Sequence, residues 1–135
     1  MQKKKSLLRN EEGFTLIEII AVLIVLGILA AVAVPKYIDL TTQSKIKAAE
    51  GQVAEMKATL NLAYANYYIT NSAAPTGTLA VTAAGFTSGT AADVGTAPDI
   101  WNVKLTATGN AVAIAIIKRG TDTGYAATGA WNVPS

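Results

Sequence analysis

Hydrophobic and polar positions divide this chain into three stretches with different periods. Between Phe14 and Val34 the only charged residue is Glu18, and Ile19 to Val34 is an unbroken apolar run. At ~1.5 Å per residue, a helix of this length covers roughly 31 Å, about the hydrocarbon thickness of a bilayer. Further along, Ile46, Ala49, Val53, Met56, Leu60, Ala63 and Tyr67 recur at spacings of three and four, with Lys45, Lys47, Glu50 and Lys57 between them. That is one apolar stripe on an amphipathic helix, and it needs a partner. The two patterns predict a single long, bent helix from Phe14 to Ile69, roughly 80 Å of helix at ~1.5 Å per residue. Pro35 kinks it and Gly51 weakens it slightly.

Asn71-Ser72-Ala73-Ala74-Pro75-Thr76-Gly77 has loop composition, and Pro75 disfavours helix at the residue before it. Residues 71–98 are rich in Ala, Thr and Gly. They read either as an irregular loop or as a loop holding a short strand or helical turn near Leu79 to Ala84. Beyond Pro98 the period becomes two. Trp101, Val103, Leu105 and Ala107 alternate with Asn102, Lys104, Thr106 and Thr108, which predicts a strand with one buried face. Gly109-Asn110 suits a two-residue type II′ turn, and Ala111 to Ile117 forms the return strand with Val112, Ile114 and Ile116 on one face. A polar turn from Lys118 to Gly124 leads to a third strand near Tyr125 to Thr128. The expected fold class is α+β, a small antiparallel meander packed on the amphipathic half of the helix.

Composition narrows the chemistry. The 135 residues include no Cys and no His, which removes a disulfide framework, a thiolate, an imidazole base and an ordinary zinc site. The expectation is that the chain is not an enzyme and carries no cofactor and no metal. Asp93, Asp99 and Asp122 are candidate calcium ligands, but the spacing of a D-x-D-x-D-G loop is missing. The net charge of +2 comes from the N-terminus, where Lys3, Lys4, Lys5 and Arg9 stand against Glu11 and Glu12. Charge is balanced elsewhere, so Lys104, Lys118 and Arg119 read as solvated and nucleic acid is not indicated as a partner. Tyr64 and Tyr67 are expected to pack on the core, and Trp131 to anchor the C-terminal end that no disulfide closes.

The basic cluster before the apolar segment orients the N-terminus toward the cytoplasm and sends the remainder outward. Three readings of this N-terminus compete. A secretory signal cut after Ala33, in the small-residue tripeptide Ala31-Val32-Ala33, would release a soluble binding domain. A permanent single-pass anchor leaves Glu18 unexplained, since a carboxylate in a spanning helix costs ~2.5 to 3.5 kcal/mol at its centre. The third reading rests on Gly13-Phe14-Thr15-Leu16-Ile17-Glu18, preceded by a short charged leader and followed by an apolar helix with Gly27 and Pro35.

This constellation resembles the N-terminus of type IV pilins and pseudopilins. The resemblance implies that a prepilin peptidase cuts between Gly13 and Phe14, that the new amine of Phe14 is methylated, and that the helix becomes the core of a filament. It also implies that Glu18 meets the Phe14 amine of a neighbouring subunit and so sets the register of assembly. Gly27 and Pro35 would mark a segment of weakened helix. The implied organisation is a leader over 1–13, a transmembrane and filament-core half-helix over 14–35, an amphipathic half over 36–70, a loop over 71–98, and the sheet with the C-terminal region over 99–135. Expected partners are other copies of the chain, the peptidase, an inner-membrane assembly platform and, before assembly, the lipid bilayer. The chain would begin as a single-pass inner-membrane precursor and end in an extracellular pilus serving adhesion, motility or DNA uptake. The alternative within the family is a pseudopilin of a type II secretion system.

Overall fold

A computed structural model describes residues 13–135, so most of the 1–13 leader lies outside the described residues. Two units divide the chain, one ending at Ile38 and one comprising Asp39–Ser135. Helix α1 runs over Leu16–Asn71 and passes through Pro35 without interruption. Its apolar beginning continues into the amphipathic pattern because no residue between them supplies a stop. The helix ends where expected, with Ser72 in the left-handed region at φ 51° and its amide donating to the Tyr68 carbonyl at 2.8 Å. That arrangement satisfies one of the carbonyls a helix end leaves without an intrahelical donor.

In the second unit, α1 buries Ala49, Gln52, Val53, Met56, Leu60 and Ala63. The apolar members are the predicted stripe, while Gln52 is a polar addition to it. Helix α2, Gly77–Ala83, follows, with Thr76 as its N-cap accepting from the Leu79 amide. Four strands come next, β1 (Ala91–Val94), β2 (Trp101–Thr108), β3 (Ala111–Arg119) and β4 (Ala127–Asn132), in an antiparallel sheet ordered β1-β2-β3-β4. Ala80 and Val81 of α2, Val103 and Leu105 of β2, Val112, Ile114 and Ile116 of β3, and Trp131 of β4 complete the core with the α1 stripe. The fold is α+β, a long N-terminal helix with an antiparallel sheet.

Three boundaries differ from the sequence reading. The 71–98 loop holds α2, in keeping with the helical turn read near Leu79 to Ala84, but also β1, so the sheet begins before residue 99. Strand β1, Ala-Ala-Asp-Val, has low strand propensity, and it is its pairing with β2 from Ala91↔Lys104 to Val94↔Trp101 that makes it a strand. Next, β3 extends through Lys118 and Arg119, which the sequence reading placed in a turn. Finally, the last strand lies at 127–132 rather than 125–128. Gly129 obscured it in the sequence, yet the position needs glycine because a Cβ there would collide with the side chain of Val53.

Candidate functional site

The site is built from the first residues of α1. Gly13, Phe14 and Thr15 precede the helix, and Phe14 is 82% exposed. A Cβ added at Gly13 meets nothing within 4 Å. Nothing in the described chain itself therefore requires glycine there. The same holds for Gly27, which has open space around it and lies inside uninterrupted helix.

Thr15 and Glu18 close a reciprocal capping box. The Thr15 amide and hydroxyl donate to Glu18 Oε2 at 2.8 and 2.9 Å, and the Glu18 amide donates to Thr15 Oγ1 at 3.3 Å. Helix N-termini leave backbone amides without intrahelical acceptors, and this pair satisfies one on each residue. Sequence reasoning missed Thr15. The signal was present in Thr15-x-x-Glu18 ahead of an apolar run, the usual pattern of such a box. Within one chain the Glu18 carboxylate is thus held at the helix start, close in sequence to the Phe14 backbone.

Every residue from Gly13 to Ser44 is exposed. The apolar window has a mean hydropathy of 3.0 over eighteen residues with none of it buried, so the helix is long and apolar enough to cross a membrane. Leu16, Leu23, Ile28 and Val32 are each more than half exposed. An apolar surface of this extent on one chain marks a membrane or protein contact.

The remaining candidates are dispersed. Asp93 accepts from Asn102 Nδ2 at 2.8 Å, Asp99 is ion-paired with Arg119, and Asp122 pairs with Lys45 at 2.5 Å while accepting from the Gly124 amide. Each aspartate has its own partner in a different place, and among the described residues no group of three possible ligands converges. The hydrogen bond from Lys45 and the Gly124 amide hold the Asp122 carboxyl below its ordinary range. The same bond holds the Lys45 ammonium above its ordinary value. Arg119 lies over both the Trp101 and Tyr125 rings at 5.4 Å, so it is a fixed structural cation rather than a solvated one. Lys104 and Lys118 are half-buried strand residues. Tyr64 packs on the core and meets Trp131 edge-on at 6.5 Å, Tyr67 is half-buried, and Tyr68 is exposed and stacked on Tyr64.

A helix whose exposed, apolar first half opens with a Gly-Phe junction and a glutamate four residues on, followed by an antiparallel sheet, is a pilin-like arrangement. Residues 8–34 match the prokaryotic N-terminal methylation motif. The chain is 43% identical over 54 residues to the type II secretion system core protein G of Pseudomonas aeruginosa, covering 40% of this chain and 38% of that protein. It is 40% identical over 50 residues to a fimbrial protein of Pseudomonas aeruginosa, covering 37% and 32%. It is also 54% identical over 33 residues to the type IV narrow pilus major component PilA5 of Thermus thermophilus, covering 24% and 28%. The matches thus span well under half the length of these relatives. No solved structure matches the chain. The N-terminal part of the chain is therefore similar to that of type IV pilins and pseudopilins.

Proposed function

We propose that this chain is the structural subunit, the major pilin, of a type IV pilus and catalyses no reaction. The observation that carries this reading is the helix from Leu16 to Val34, whose apolar side chains find no cover within the chain. In the inner membrane the bilayer covers them. Outside it, other copies of the same helix must. Burying several hundred Å² per subunit at ~25 cal/mol per Å² gives on the order of 10 kcal/mol, ample to drive lateral packing.

Prepilin peptidase cuts between Gly13 and Phe14, where the absence of a Cβ lets a protease at the membrane surface approach the backbone. The released Phe14 amine, methylated, is the cation nearest to Glu18, since no Lys or Arg lies between Phe14 and Val34. A carboxylate taken from water into a helix bundle costs several kcal/mol unless an opposite charge accompanies it. Glu18 therefore pairs with the Phe14 amine of the neighbouring subunit, and an axial slip leaves both charges unpaired. The assembly platform of the inner membrane supplies the subunits to the growing fibre.

A second reading, a pseudopilin of a type II secretion system, is favoured by the match to core protein G. Electron microscopy of sheared cell-surface material with N-terminal sequencing tests the choice. Long surface fibres whose subunit begins at Phe14 are expected. Loss of protein secretion on deletion, without surface fibres, assigns the pseudopilin. A mature chain beginning at Val34 overturns both. A Gly13→Leu chain should remain unprocessed in the same assay.

A further inference from the structure

A cleft of about 360 Å³ lies between α1 and the segment leading into β2, lined by Gln52 and Glu55 of the helix, residues 94–99 and Trp101. Its size falls in the range of small-ligand and peptide side-chain sites. Filament formation through the apolar helix makes no use of it.

Gln52 is the buried polar residue of the helix stripe, 7% exposed. Its side-chain amide makes no hydrogen bond among the described residues. None of the fully shielded side-chain polar atoms in the structure lacks a partner, so the Gln52 amide reaches the open space of the cleft. Buried amides are normally paired, and one left open into a cavity is free to bond a ligand. Glu55 lies one turn further along the same face, exposed and in no ion pair among the described residues.

The charge of Asp99 is matched by Arg119, whereas that of Glu55 is not. No Lys or Arg lines the cleft. On its lip, Pro98 has no amide hydrogen and the Asp99 amide already donates to the Thr96 carbonyl at 2.8 Å. The lining thus sets one unmatched carboxylate beside the open Gln52 amide, with no cation of its own. A guanidinium fits this set, because it carries five donors and no acceptor and binds a carboxylate through two parallel hydrogen bonds.

We propose that the cleft binds an arginine side chain presented by a different polypeptide. The chain has only two arginines of its own, Arg9 and Arg119. Arg119 is engaged with Asp99, Trp101 and Tyr125. Arg9 leaves with the leader, a point that rests on cleavage after Gly13. A second mature copy thus has no free arginine to offer.

Titration of the full, unprocessed chain in detergent micelles with the peptide acetyl-Gly-Arg-Gly-amide, followed by nuclear magnetic resonance, tests the proposal independently of any filament. Saturable shifts of the Gln52 side-chain amide and the Trp101 indole are expected. Replacing the peptide's arginine by citrulline, its uncharged isostere, should weaken binding at least tenfold. Glu55→Gln should do the same while leaving the remaining resonances in place, and Gln52→Leu should weaken binding several-fold. Equal binding of the arginine and citrulline peptides, unchanged affinity in Glu55→Gln, or the absence of saturable shifts overturns the assignment.

Discussion

Trp131, on the last strand, donates from its indole Nε1 to Asn61 Oδ1 on α1 at 2.7 Å, across seventy residues of sequence. The ring is 7% exposed and belongs to the core, so one side chain combines apolar burial with a directed bond to the helix. In a chain without cysteine, this contact ties the C-terminal strand to α1. A buried aromatic ring offers this because its large apolar face and its single polar handle can be satisfied together.

Trp131→Ala should cost ~3 to 5 kcal/mol of head stability, and Trp131→Phe about 1 to 2 through the lost hydrogen bond and smaller ring. Urea unfolding of the full chain in micelles, followed by near-ultraviolet circular dichroism, reads both. Equal midpoints for wild type and Trp131→Ala would remove the anchoring role.

Gly129 lies against Val53 so closely that a methyl group cannot be added without displacing it. Overpacking of this kind costs ~1 to 3 kcal/mol. Gly129→Ala should therefore destabilise the head, and adding Val53→Ala should recover part of the loss. Additive effects of the two substitutions would show that the glycine serves something other than helix–sheet contact.

The Lys45–Asp122 pair makes stability depend on pH at both ends of the scale. Asp122 titrates below its unfolded value, so its contribution is present above about pH 4 and is lost as pH falls through the lowered native value. Lys45 titrates above its unfolded value, so its contribution is complete below about pH 10.4 and is lost as pH rises through the raised native value. The pair is partly solvated, with side chains 31% and 43% exposed, and the effect is correspondingly modest. The difference in urea midpoint between wild type and Asp122→Asn should be flat between those limits and shrink outside them. A difference that stays constant down to pH 2 contradicts the pairing.

Two substitutions separate the capping role of Glu18 from the role between subunits proposed for it. Thr15→Ala removes the hydroxyl half of the box and costs about 1 kcal/mol at the helix start, leaving the carboxylate in place. It should still assemble. Glu18→Ala should be cut after Gly13 and accumulate in the membrane, yet yield few or no filaments. Counting fibres in shear fractions distinguishes them; wild-type numbers from Glu18→Ala would withdraw the assembly role, and equal losses in both variants would assign the residue to capping alone.

Gly27 and Pro35 lower helix stability by ~1 and ~3 kcal/mol, and no packing within the chain around Gly27 compensates. The helix is continuous through them in the single chain. In an assembled fibre the segment 27–35 should lose helical order where lateral contacts compete with it. A cryo-microscopy reconstruction with unbroken α-helix over these residues would contradict this.

The apolar run, the three-and-four stripe and the Trp101 to Ile116 hairpin were legible because each is a local period repeated over several residues. So was Gly109, whose φ of 61° meets the requirement of the two-residue turn. The capping box at Thr15 was written in the sequence as well, in a four-residue pattern next to a stronger signal. Other features arise from contacts that no period announces. Strand β1 exists because β2 offers it an edge, and β4 runs through Gly129 because Val53 sits behind it. The clearest case is the bulge between Asn102 and Val103, where Val103 pairs with Ile116 but Asn102 pairs with Lys118. The skipped residue, Ile117, shifts the phase so that Arg119, and not Lys118, stands opposite Trp101. Periodicity fixes which face of a strand is apolar, but one inserted residue reverses the faces beyond it, and here Arg119, beyond the insertion, meets Asp99, Trp101 and Tyr125, contacts that no period along the strand announces.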